Sequence, residues 1–292
     1  MNPHDPTPAP PPGAPPRFQG RVAVVTGGAR GIGRAIALAL AREGCDLVIG
    51  DVLEGLPDGT PYPKATQADL DQTVAAAGAS GVRCIGLRMD VREASEGEAL
   101  IEAARASFGR LDFLIANAAV TLEGRLTDLA PDQFDVVVRT NLHGVFNVMA
   151  PALRLMTEAG RGRVVAIGSG AGKHAEAEAG AYVASKFGLI GLCKTAALEV
   201  AEHGVTVNAV LPGPTDTPMM SSPQRFRQAV PDKPDPARDD YLEARKDATP
   251  MGLAWIKPED VAAVVLFLLS DEARFVSGET ISVDAADCAN WT

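Results

Sequence analysis

Three side chains stand at spacings that can move a proton. Ser169 follows the apolar run Val164–Ile167, and Tyr182 and Lys186 come thirteen and seventeen residues after it. Residues four apart share one helical face, which sets the lysine beside the tyrosine. A phenol of pKa about 10 is a poor base at neutral pH. A neighbouring ammonium favours the phenolate and brings it toward a useful range. Ser169 is then placed to hydrogen-bond a reacting oxygen and hold it against Tyr182. Plain helices also carry a tyrosine and a lysine four apart, so the pair needs support from elsewhere in the chain.

That support lies upstream. The run Val22–Val25 leads into Thr26-Gly27-Gly28-Ala29-Arg30-Gly31-Ile32-Gly33, which opens a helical pattern. Glycines let a backbone turn tightly and approach a pyrophosphate, whose charge the helix N-terminal amides stabilise. Strand before, helix after and an acid at the next strand end make a dinucleotide fingerprint. The acid is Asp51, with Val52 beside it. Asp51 can accept hydrogen bonds from ribose hydroxyls and would repel a 2′-phosphate, so the expected cofactor is NAD rather than NADP. Arg30 pulls the other way as a possible phosphate partner, unless it simply faces solvent. Asp90 and Val91, after the third strand, are placed to meet an adenine, with a helix cap as the plain alternative. Asn117, followed by Ala118 and Ala119, can fix the loop beneath the cofactor, or be an ordinary turn asparagine. His174 reads as a surface-loop histidine rather than a pocket residue.

These positions require a particular scaffold. Val22–Val25, Leu47–Ile49, Val82–Leu87, Leu111–Ile115, Val164–Ile167, Val205–Val210 and Thr280–Val283 read as seven strands. Their near-continuous apolarity is what a sheet covered on both faces produces. Helical patterns such as Ile32–Glu43, Glu98–Phe108, Phe134–Leu155 and Tyr182–His203 alternate with them, which predicts right-handed crossovers. The expected fold is a single α/β domain over residues 17–292, a Rossmann-type doubly wound parallel sheet of about seven strands. Residues 52–65 add a Pro/Gly-rich insertion, and residues 213–250 form a long proline-rich segment that reads as a substrate lid. Residues 1–16 are proline-rich with almost no large apolar side chain and are expected to form a disordered tail.

Composition narrows the partners. The chain has 292 residues, 46% of them hydrophobic and 22% charged, a balance that can bury a sizeable core. A net charge of −10 opposes nucleic acid or an anionic membrane surface as partner. No apolar run reaches the roughly 18 residues of a membrane span. Cys45, Cys84, Cys193 and Cys288 lie far apart with no paired spacing or histidine cluster nearby. They read as reduced thiols of a cytoplasmic protein, and no metal site is expected from their spacing.

With these residues in hand, the chain resembles the short-chain dehydrogenase/reductase family over residues 21–285. TGGARGIG is similar to the family's TGxxxGxG loop, and Ser169, Tyr182 and Lys186 match its catalytic trio. The resemblance implies that Asn141 holds a water in a proton relay to the lysine. It also implies that Pro212-Gly213-Pro214-Thr215-Asp216-Thr217 is the PGxxxT segment, with Thr217 on the nicotinamide carboxamide and Lys186 on the ribose. The family's NNAG is here Ala116-Asn117-Ala118-Ala119, which puts the loop geometry in question at Ala119. A narrower likeness, carried by the insertion with its PYP, by Pro236–Arg245 and by Trp255-Ile-Lys-Pro-Glu-Asp260, is to carveol-dehydrogenase-like, mycofactocin-associated members. It implies a hydrophobic, terpenoid-sized secondary alcohol, NAD held without ready exchange, an external redox acceptor and a homotetramer. The alternatives are an NADPH-dependent 3-ketoacyl reductase, which Asp51 opposes, and a non-catalytic cofactor sensor, which the intact Asn141, Ser169, Tyr182 and Lys186 oppose.

Overall fold

The computed structural model describes residues 15–56 and 60–289. The expected tail therefore lies outside the described residues up to position 14, as do residues 57–59 of the insertion. The strands are β1 (Val22–Thr26), β2 (Asp46–Asp51), β3 (Cys84–Arg88), β4 (Phe113–Ala116), β5 (Gly162–Ile167), β6 (Val205–Pro212) and β7 (Thr280–Val283). They make one parallel sheet in the order β3-β2-β1-β4-β5-β6-β7. The third and fourth begin two residues later than the apolar pattern suggests, and the order reverses between β1 and β4. At such a switch point the connections leave in opposite directions and open a crevice at the strand C-termini.

Helices cover both faces. On one, α1 (Gly31–Arg42), α2 (Gln67–Gly78) and α9 (Pro258–Leu269) bury Ile36, Leu40, Leu70 and Val265 against the sheet. On the other, α3 (Ala94–Phe108), α5 (Gly144–Ala159) and α6 (Gly180–Val200) bury Leu100, Met149, Met156 and Leu189. Val24 and Val25 of β1, Leu114 and Ile115 of β4, and Val164 and Val165 of β5 are fully enclosed, as the unbroken apolar runs require. Helix α2, capped reciprocally by Thr66 and Asp69, has only a weak apolar stripe and is not evident from the sequence pattern. None of the described helices is long and apolar enough to cross a membrane.

The single helix expected over Phe134–Leu155 is not uniform. It consists of α4 (Pro131–Val138), a π-turn at Arg139–His143 and then α5, with the amide of Gly144 donating to the carbonyl of Arg139. One residue is thereby inserted into the helical spiral, and Asn141 lies inside the wide turn; such bulges gather at functional sites. The segment after β6 contains two short helices, α7 (Pro223–Ala229) and α8 (Arg238–Ala244). They are packed by an aromatic stack in which Tyr241 lies 4.9 Å from Trp255 and 5.6 Å from Phe226. Arg238 sits over Trp255 and pairs with Asp216, and Thr215 bridges to Ile256, so the segment is anchored at both ends.

The tightest packing under the crevice is at Gly33. A Cβ there would lie 2.2 Å from the Gly27 carbonyl oxygen and 2.6 Å from the Asn117 side-chain nitrogen. Gly33→Ala should therefore destabilise the chain by about 3 kcal/mol, the scale of an overpacked core. Thermal unfolding followed by circular dichroism checks this; an unchanged midpoint would show that the loop yields freely.

Candidate active site

At the C-terminal ends of the strands lies a cavity of about 610 Å3, reaching from Asp51 and the glycine loop to Ser169, Tyr182 and Lys186. Every residue singled out in the sequence lines it except Gly33 and Asn141, which lie beneath its floor. The two halves of the sequence signal thus share one space.

At the glycine end, Gly27 has φ +64, and a Cβ there would meet the Ala118 Cα at 2.9 Å. The Asn117 amide nitrogen donates to the carbonyls of Thr26 (2.9 Å) and Gly27 (3.0 Å), and its backbone N–H donates to the Thr26 hydroxyl. Asn117 thus ties the β4 loop to the glycine loop across the switch point. Ala119 has no left-handed backbone, so the absent glycine leaves the loop unstrained. Asp51 is buried, with one carboxylate oxygen accepting from the Ala29 amide and the other from the Leu53 amide. Arg30 does not face open solvent: burial lowers its pKa, against the raising influence of Asp51, Tyr62 and Asp69. Asp90 lines the cavity, and it is not a helix cap: the cap residue of α3 is Glu93, while Asp90 accepts from the Arg92 amide and guanidinium. At the far rim Thr217 stands over Gly31, its methyl 3.4 Å from where a Cβ would be. The Thr215 hydroxyl donates to the Gly213 carbonyl, shaping the turn that follows Pro212.

At the other end, β5 delivers Ser169 and α6 delivers Tyr182 and Lys186. The Ser169 oxygen accepts from the Ala171 amide and is hydrogen-bonded to Tyr182. The Lys186 ammonium donates to the Ile167 carbonyl at 2.8 Å and lies 5.5 Å from the Tyr182 ring centroid. Burial pushes the Lys186 ammonium down to about 8. Burial also pushes the Tyr182 phenol up, against the lowering effect of the Ser169 hydrogen bond, with Glu176 raising it further and Arg225 lowering it. The lowering expected from Lys186 is therefore not what governs Tyr182 in the chain alone. Desolvation dominates, and Lys186 is turned toward a carbonyl.

Asn141 is fully buried, and its side chain is engaged throughout. Its oxygen accepts from the Val120 amide (2.8 Å), and its nitrogen donates to the Val120 carbonyl (2.9 Å) and the Ser185 hydroxyl (3.2 Å). Ser185 in turn donates to the Tyr182 carbonyl. The side chain is thus occupied in positioning the β4 loop against α6, and the water relay that the resemblance implies would have to run through other atoms.

The sequence reading missed several cavity residues. Tyr62 of the insertion is buried, its hydroxyl accepting from the Thr121 amide, and Leu56 packs with Val120, Val137 and Tyr182. The insertion thus reaches past Asp51 to the catalytic end; the aromatic between two prolines was its one visible signal. From α7, Arg225 forms an ion pair with Glu123 of the loop after β4, joined by Gln224 and Gln228 at 3.4 Å. Nothing in the sequence links residues so far apart. His174 lines the cavity instead of standing on an outer loop, and the fold brings it to Asp287 and Cys288.

Comparisons with known proteins agree with this geometry. A family model described as enoyl-(acyl carrier protein) reductase matches residues 27–285. The (-)-trans-carveol dehydrogenase of Rhodococcus erythropolis is 35% identical over 271 residues, 92% of this chain and 98% of that protein. An uncharacterized NAD-dependent oxidoreductase of Mycobacterium tuberculosis is 36% identical over 268 residues, 91% of this chain and 95% of that one. The crystal structure of carveol dehydrogenase from Mycobacterium avium in complex with NAD superposes with a TM-score of 0.90 at 33% identity, covering 94% of this chain and 99% of that chain.

Buried Lys186 has a measurable signature. Its pKa falls from the ordinary 10.5 to about 8 on folding. Between those values the unfolded chain holds a proton that the folded chain has released, so stability rises with pH across that window. The unfolding free energy of wild type minus that of Lys186→Met should increase by about 3 kcal/mol from pH 8 to 10.5. Denaturant titrations at several pH values measure it, and a flat difference would place the charge in solvent.

Proposed function

The chain belongs to the short-chain dehydrogenase/reductase family, and we propose that it interconverts a hydrophobic secondary alcohol and its ketone using NAD(H). The observation that carries this reading is the single cavity joining Asp51 and the glycine loop to Ser169, Tyr182 and Lys186. The amides opening α1 would receive a pyrophosphate, Asp51 the adenosine ribose hydroxyls, and Lys186 and Thr217 the nicotinamide end. Bound NAD supplies hydride exchange at the carbinol carbon and, when oxidised, a positive ring beside the phenol.

The chain's own groups handle the proton. Ser169 holds the substrate oxygen, and Tyr182 accepts the hydroxyl proton as the alcohol becomes a ketone, returning it in the reverse direction. A raised phenol suits proton donation, whereas alcohol oxidation requires the phenolate. Leu56, Met219 and Met220 give the substrate end an apolar lining that favours a terpenoid-sized alcohol such as carveol. The 3-ketoacyl reductase reading calls for NADPH. Against it stands Asp51, whose carboxylate is pinned by two amides and cannot swing aside for a 2′-phosphate. The complete catalytic set argues against a non-catalytic sensor.

The insertion supports retention of NAD, since its Leu56 and Tyr62 line the cavity that joins the glycine loop to Tyr182. An external redox acceptor would then regenerate the cofactor in place. Exposed Phe146, Phe187 and Leu198 on α5 and α6 support assembly of copies through these helices, as a homotetramer. The four free cysteines suit a reducing, cytoplasmic setting.

Two measurements test the reading. Tyr182→Phe should lower turnover by about 10²–10⁴-fold, the worth of a general acid–base, with NAD binding retained. Full turnover in that variant would remove Tyr182 from the mechanism. The purified protein should carry NAD through desalting, and Tyr62→Ala should release it. Because retained NAD hides activity from assays of free NADH, the alcohol screen uses an artificial electron acceptor.

A further inference from the structure

His174 stands on the loop that follows Ser169, while Asp287 and Cys288 stand in the turn after β7. Their ligand atoms all lie within 4.8 Å of one another. Gly170 borders the same space: a Cβ there would sit 2.8 Å from the Cys288 sulfur and 3.4 Å from the His174 Nε2. The residue next to the catalytic serine thus lacks a side chain at the one place where a side chain would fill the gap between the two donors. Buried Asp284 holds the turn from below, accepting from the amides of Ala286 and Cys288. The His174 Nε2 lies on the side of Gly170 and Cys288, while its Nδ1 is 3.5 Å from the Ala175 carbonyl.

We propose that His174, Asp287 and Cys288 bind one divalent transition-metal ion of the zinc class in the wall of the substrate cavity. One nitrogen, one sulfur and one oxygen form a borderline-soft donor set, suited to Zn²⁺ or Co²⁺ and poor for Mg²⁺ or Ca²⁺, which take oxygen ligands. A cysteine thiol at neutral pH holds its proton, which an ion must displace. Binding replaces that proton: the S–H bond is lost, an S–metal bond forms, and one proton leaves to solvent without any change of oxidation state. His174 and Asp287 line the cavity, so three protein ligands leave a fourth position open to it for water or a substrate oxygen. The ion would also tie the C-terminal turn to the loop carrying Ser169. The site is independent of the alcohol reading and stands or falls without it.

The experiment is a cobalt titration of the metal-free, full-length protein, followed by absorbance. One equivalent should give the near-ultraviolet thiolate-to-cobalt band, release one proton, and be displaced by Zn²⁺. Cys288→Ser should lose the band. Gly170→Ala, which alters no ligand, should weaken cobalt binding by about tenfold or more, as should Asp287→Asn. Absence of the band at one equivalent, or the same cobalt affinity in wild type and Cys288→Ser, overturns the proposal. If Cys288→Ser does not fold, the half-buried ligands carry the test: unchanged affinity in both His174→Gln and Asp287→Asn overturns it equally.

Discussion

The hydrogen bonds from Asn117 to the carbonyls of Thr26 and Gly27 join the two halves of the sheet where its order reverses. On one side stand the strands that present the glycine loop and Asp51, and on the other those that present Ser169 and the helix of Tyr182. Parallel strands covered on both faces offer no free edge for chemistry except their C-terminal ends. The crevice there would splay without a tether, because both adjoining loops carry backbone groups that the sheet does not pair. A carbonyl oxygen left unpaired in so buried a place costs on the order of 1–3 kcal/mol. One asparagine amide answers two of them and sets the width of the crevice. Gly33 and Gly27 follow from the same constraint, since a side chain at either would push Asn117 or Ala118 away.

A second constraint is electrostatic. Lys186 is almost wholly buried, and its ammonium donates to the Ile167 carbonyl. Among the described residues no carboxylate pairs with it, so the surrounding structure must be rigid enough to hold a cation where water would relax the field. That rigidity comes from the layer beneath. The π-turn brings Asn141 to Val120 and Ser185, and Ser185 to the carbonyl of Tyr182, so the β4 loop, the bent helix and α6 are locked together under the catalytic face. The cost of burying the ammonium is the counterpart of its use: a charge that solvent does not screen acts strongly on whatever binds in front of it.

What the sequence made legible follows from how far apart the determining residues are. The strands, the glycine loop and the Tyr182–Lys186 pair depend on short-range patterns: unbroken apolar runs, glycine before a helix, and a four-residue step. Asn141 was visible as a family position, but its turn was not, since a π-bulge is an insertion in the hydrogen-bond ladder and leaves the apolar stripe nearly intact. Ala119 looked like a defect in the loop and is not one, because the backbone there does not need a left-handed conformation. Tyr62 with Thr121, Glu123 with Arg225, and His174 with Cys288 are pairings between distant segments. No local periodicity encodes them; they exist only after the sheet has brought the loops to one end.

On the proposed function, those distant pairings would select the substrate, as distinct from the chemistry done on it. The wall facing Tyr182 is apolar at Leu56, Met219 and Met220, yet it also contains the Arg225 and Glu123 side chains. The opposite charges of Arg225 and Glu123, being in contact, offset one another in this wall. The same pair links α7 to the β4 loop, which makes it the latch of the segment after β6. Arg225 and Glu123 are only partly buried, so the latch is a modest one. A segment held by a modest polar latch and an aromatic stack can open without unfolding the sheet. On the proposed function, the better an occupant fills the apolar end, the more completely this segment would exclude water from Tyr182.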